Sequence, residues 1–67
     1  MGKIYENIKK ECDKQGLTIQ ELEKRAEIGN GTVGRWRESK PRVDTLYKVA
    51  VVLDVSIRSL IGDAEIA

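Results

Sequence analysis

Between Asn30 and Glu38 the chain carries two side chains suited to paired hydrogen bonding with a nucleic-acid base. Arg35 can donate a bidentate pair to guanine O6 and N7, and Asn30 can pair with adenine N6 and N7. A basic stretch, Arg35-Trp36-Arg37-Glu38-Ser39-Lys40-Pro41-Arg42, runs on from there. Its Lys40 and Arg42 suit phosphate contacts, which position a protein on a duplex without reading sequence. Taken alone, a short basic run is an ordinary solvated loop. The chemistry therefore depends on an element that presents these groups together.

That element is a helix predicted over Asn30–Glu38. It ends before Pro41, because the residue before a proline is pushed out of the helical region. Gly29 takes its N-cap position, for which glycine is acceptable. At helical spacing, Val33 and Trp36 fall on one side, and Gly31, Gly34, Arg35 and Glu38 on the other. Val33 and Trp36 are expected in the core, although a tryptophan can also stack on a base. Two glycines inside a short helix cost on the order of 1 kcal/mol each relative to alanine. They are reasonable where another surface, such as DNA, must come close. The alternatives are that they are merely tolerated or admit close helix–helix packing.

A preceding helix is predicted over about Thr18–Ala26. Thr18 followed by Glu21 has the capping-box pattern, and Leu22 and Ala26 form the inner face. The link Glu27-Ile28-Gly29 is short. Two short helices so joined form a supersecondary unit in which one helix crosses the DNA backbone and the next enters the major groove. Three further helices complete an all-α, five-helix bundle. The first, about Lys3–Lys14, aligns Ile4, Ile8 and Cys12 and stops at Gln15-Gly16. The fourth, about Val43–Leu53, aligns Leu46, Val49, Ala50 and Leu53. The fifth, about Ile57–Ile61, is capped by Ser56 and ended by Gly62.

Size and composition narrow the function classes. A chain of 67 residues allows one domain, assigned to residues 1–62, with 63–67 expected to be a flexible tail. So short a chain buries only about 60% of its unfolded surface, which disfavours a deep enzyme pocket. The formal net charge is +1, but charge distribution matters more than the sum. Residues 18–42 carry six Lys/Arg against four acids, whereas residues 54–67 carry one against three. A single cysteine, Cys12, forms no intramolecular disulfide and is expected in the core. With no histidine and one cysteine, no zinc site, other metal or cofactor is expected. No nucleophile arrangement or phosphate-cradling loop supports an enzyme. No apolar run approaches a membrane span of about 20 residues, and no signal-peptide core follows the N-terminus. A cytoplasmic protein without a membrane or small-molecule partner is expected.

The residues Gly16-Leu17-Thr18, Glu21-Leu22, Ala26, Ile28-Gly29-Asn30-Gly31-Thr32-Val33, Arg35-Trp36, Pro41, Leu46, Val49-Ala50, Leu53, Val55-Ser56 and Leu60, in that order and spacing, resemble the lambda repressor/Cro-type (XRE-like) helix-turn-helix family. The resemblance spans about Ile4 to Gly62. It implies a five-helix lambda-repressor-like DNA-binding bundle, a transcriptional regulator of phage or mobile-element type, and a homodimer on a pseudo-palindromic operator. By position it implies that Asn30, Gly31, Thr32 and Arg35 lie near the bases; the outer-face Gly34 joins them. It places Thr18, Gln20, Lys40 and Arg37 near phosphates, beside Arg42. Ile19 stands where many members have a DNA-supporting glutamine. Glu27 stands where the family's turn usually has glycine. There a non-glycine residue either adopts the left-handed conformation, at about 1–2 kcal/mol, or the turn has another shape.

A different class remains open: a protein-interaction module, such as an antitoxin or anti-repressor subunit that kept the fold without the readout. Near-neutral charge, Ile19, Glu27 and the off-face Val51 and Val52 favour it. The two valines either pack under the fifth helix or, with Ile57, Ile61 and Ile66, build a partner surface.

Overall fold

The computed structural model describes residues 3–62, and the expected tail at 63–67 lies outside them. The described residues form five helices and no strand: α1 (Lys3–Gln15), α2 (Ile19–Ala26), α3 (Thr32–Arg35), α4 (Val43–Leu53) and α5 (Ile57–Ile61). The all-α bundle expected from the sequence is therefore the observed fold. Ile4, Ile8 and Cys12 of α1, Leu22 and Ala26 of α2, and Leu46, Val49, Ala50 and Leu53 of α4 meet in one core with Val33, Trp36 and Leu60. Burial raises the pKa of the Cys12 thiol, and neighbouring Asp13 adds to the shift.

α1 packs on α5, and α2 packs on α4. Two side chains of α1 tie the bundle's other elements down. Asn7 Nδ2 donates to the Leu60 carbonyl at 2.7 Å, and Gln15 Nε2 donates to the Leu53 carbonyl at 2.8 Å. Both carbonyls lie in the last turn of a helix, where no intrahelical partner exists.

Three helices end in the same way. The Leu17, Ile28 and Val55 amides reach back to the Cys12, Glu23 and Ala50 carbonyls at 2.8, 3.0 and 3.1 Å. This is the Schellman arrangement, which needs a left-handed residue just before the reaching amide. Gly16 fills that position after α1 at φ +68°. Glu27 and Asp54 fill it after α2 and α4, both at φ 59°. The family's usual turn shape is thus kept at Glu27, at a cost of about 1–2 kcal/mol.

The helix expected over Asn30–Glu38 is shorter, and its cap lies elsewhere. Gly31, not Gly29, is the N-cap, with φ 88°. A left-handed residue cannot continue a right-handed helix, so α3 begins only at Thr32 and leaves Asn30 in the preceding turn. After Arg35 the bonds tighten to three-residue spacing. The Trp36, Arg37 and Glu38 amides donate to the Val33, Gly34 and Arg35 carbonyls at 3.0, 3.3 and 3.0 Å. At that spacing residues three apart eclipse one another. Val33 and Trp36 therefore stack on the inner side, and both are buried.

Candidate nucleic-acid interface

The surface is built on α2, the turn after it, and the segment that contains α3. α2 carries its own N-terminus. Thr18 Oγ1 accepts the Glu21 amide at 3.0 Å, and Glu21 Oε1 accepts the Thr18 amide at 2.9 Å. This is the expected capping box. Those bonds hold the Glu21 carboxyl below the ordinary carboxylate range, the Thr18 backbone N–H contributing most.

The N-cap of α3, Gly31, has no side chain to accept the helix's first amides. Its amides are met instead by Glu23 of α2, a residue the sequence reading did not single out. Glu23 Oε1 accepts the Gly31 amide at 3.0 Å, and Glu23 Oε2 accepts the Val33 amide at 2.9 Å. The side chain is only 3% exposed. A signal was present: Ile19, Leu22, Glu23 and Ala26 occupy the i, i+3, i+4, i+7 positions that line a helix's buried face. A carboxylate there must find donors inside the protein.

Most of the expected base-proximal residues lie on the outward side of this segment. Asn30, Gly31 and Arg35 are exposed, and Thr32 and Gly34 are half-buried. The two glycines have different causes. Gly31 has no neighbour near a would-be Cβ, but its φ of +88° demands glycine. Its backbone conformation, not the close approach expected from the sequence, explains it. At Gly34 a Cβ would meet only the tip of Arg37, at 4.0 Å. Close helix–helix packing is therefore not its reason, and the space outside it is open.

The expected phosphate set is less uniform. Thr18 and Gln20 line an open cleft of about 570 Å³ together with Glu21, Glu23, Lys24, Ile28 and Asn30. One hollow thus joins the start of α2 to Asn30. Lys40 is exposed beyond the far end of α3. Arg42 is exposed and pairs with Asp44 at 3.6 Å, a surface contact of little energetic weight. Arg37 is turned back towards α1. Its guanidinium lies 5.4 Å from the centre of the Tyr5 ring, and its Nε donates to the Gly34 carbonyl at 3.1 Å. The segment closes at Ser39, whose amide and Oγ both donate to the Arg35 carbonyl, each at 3.1 Å.

Two short helices, a tight turn and a second element with a buried inner side and a polar outer side define the helix-turn-helix class of DNA-binding proteins. The helix-turn-helix family HTH_3 matches residues 8–60. The chain belongs to that family, the lambda-repressor type, whose members are DNA-binding regulators. No curated protein and no solved structure matches the chain. No helix among the described residues is long and apolar enough to cross a membrane.

Proposed function

We propose that the protein is a sequence-specific double-stranded DNA-binding transcriptional regulator, of the repressor type found in phages and mobile elements, working in the bacterial cytoplasm. Residues 1–62 form the binding domain, and a homodimer binds a pseudo-palindromic operator. The observation that carries this reading is the two-sided character of the segment from Asn30 to Trp36. Asn30 and Arg35 are exposed, whereas Val33 and Trp36 are buried. In this reading Asn30, Gly31, Thr32, Gly34 and Arg35 meet base edges. Thr18, Gln20, Lys40 and Arg42 meet phosphates on either side. Arg37 keeps its stack on Tyr5 and offers its outer nitrogens to the backbone. The test is selection from a random duplex library by the purified chain at low salt, followed by titration of the recovered duplex against salt. An enriched sequence is expected, with log K falling steeply against log salt. Recovery of no preferred duplex contradicts the proposal.

A second reading, a protein-interaction module, is favoured by one observation. Val43, Tyr47 and Val51 are 73%, 59% and 59% exposed. They recur every four residues and form an apolar ridge along α4. Val52, Ile57 and Ile61, by contrast, pack against the core, so only Val51 of the off-face valines stays outside. A chain that sediments as a tight complex with a protein partner and ignores every duplex favours this reading over the first.

A further inference from the structure

We infer that Glu23 is a positioning residue for base readout: its carboxylate sets the register between the phosphate-facing start of α2 and the base-facing segment 30–35. The inference rests on the DNA reading above and assigns a role to a residue that contacts no base.

An ionised carboxylate taken out of water is costly unless its oxygens are met. Here each oxygen takes one backbone N–H, from Gly31 and from Val33. The two donors flank Thr32, so the planar fork fixes both the distance and the twist of that peptide unit relative to α2. Asn30 immediately precedes the first donor, and Arg35 lies two residues after the second. The Glu23 carbonyl also accepts the Ile28 amide at 3.0 Å. One residue thereby holds both sides of the turn.

The same helix begins at Thr18, and the cleft that contains Glu23 is lined by Thr18 and Gln20 on one side and Asn30 on the other. Phosphate contacts fix a protein's register on the duplex, and base contacts read sequence within that register. Readout therefore needs a stiff connection between the two sets, and a site is only as sharp as the contacts that support it. Glu23 is that connection. It also engages the Gly31 and Val33 amides itself, so this segment offers side chains rather than these backbone donors to the DNA.

The sign of one substitution separates positioning from electrostatics. Removing a negative charge near DNA strengthens binding to every duplex by electrostatics alone. If Glu23 positions the reader, E23Q must weaken binding to the selected duplex while leaving an unrelated duplex bound as well or better. Gln offers one acceptor and sets its NH2 against the second amide. E23D keeps the charge and shortens the reach. For both, the ratio of selected to unrelated affinity is expected to fall about tenfold, the scale of one charge-assisted hydrogen bond. D13N, an exposed charge control on α1, is expected to leave that ratio unchanged.

The measurement is a titration of the full chain and these variants against the selected duplex and an unrelated duplex of equal length. Amide exchange of Gly31 and Val33 in the parent chain without DNA accompanies it. Both amides are expected to exchange slowly, although Gly31 is on the surface. A retained ratio in E23Q and E23D overturns the inference. So do Gly31 and Val33 amides that exchange as an open loop, a result that stands even if the variants fail to fold. A parent chain that prefers no duplex overturns the DNA reading and the positioning role together. Clear preference with an unchanged ratio overturns the role of Glu23 alone.

Discussion

α2 carries its own N-terminal stop, in Thr18 and Glu21 three residues apart, and closes its other end with the left-handed Glu27. α3, four residues long, begins at a left-handed glycine with no side-chain cap of its own. Its amides lean on Glu23, eight and ten residues earlier in the chain, and its inner side leans on the core through Val33 and Trp36. A helix this short has no stability in isolation. The element proposed to read DNA is therefore shaped almost wholly by its neighbours. That outside support outweighs the propensity cost of Gly34, about 1 kcal/mol relative to alanine.

The largest expected effect breaks the support of α3 from inside. Trp36→Ala should destabilise the fold by about 3–5 kcal/mol, the range for removing a buried aromatic side chain, as read by denaturant unfolding. Substitutions at the two N-termini should be smaller and different in kind. Gly31→Ala forces an L-residue into the left-handed region and should cost about 1–2 kcal/mol. Thr18→Ala removes a cap and should cost about 1 kcal/mol. If α3 stands on its neighbours while α2 caps itself, Gly31→Ala should also loosen the Val33 amide, and Thr18→Ala should leave that amide's exchange unchanged.

Gly34→Ala sharpens the contrast, because its expected effects on folding and binding have opposite signs. The site is helical and open, so stability should rise by about 0.5–1 kcal/mol. Binding to a selected duplex should fall, because the added methyl stands where the DNA is proposed to approach. A variant that gains stability and keeps full affinity would remove Gly34 from the interface.

The smallest effect concerns pH. The folded-state pKa of Glu21 is depressed, chiefly by the Thr18 backbone N–H. The unfolded chain therefore takes up that proton first as pH falls. The stabilisation is complete above the unfolded value of about 4.3 and is lost as pH drops through the lower folded value. Thr18→Ala, which loosens the box, should flatten this acid limb in a series of melting temperatures.

The same contrast explains which parts were legible in the sequence. α1, α2, α4 and α5 announce themselves by local signals: apolar spacing, the Thr18–Glu21 pair, Gly16, Ser56 and Gly62. The inward Val33 and Trp36 were legible too, because three-residue spacing survives in either helix type. The length of α3 was not, because residues 30–38 carry a helical pattern of side chains while Gly31 takes a backbone conformation that no pattern reports. Glu27 left two turn shapes open, and only the folded backbone distinguishes a strained left-handed residue from a different turn. The inward position of Glu23 was legible from its spacing with Ile19, Leu22 and Ala26, but its partners were not. Its role depends on amides eight and ten residues away in sequence, brought close by the fold.

The most direct test of the central claim, that segment 30–35 reads bases, is the affinity of Arg35→Ala across single-base variants of the selected duplex. The expected result is a loss of about 1–3 kcal/mol on the selected sequence and a relaxed preference at one base pair. Arg42→Ala, for comparison, should weaken all sequences alike and lower the salt slope by about one. An Arg35→Ala chain that binds every duplex equally more weakly, with each base preference intact, would contradict the claim and place Arg35 with the phosphate contacts instead.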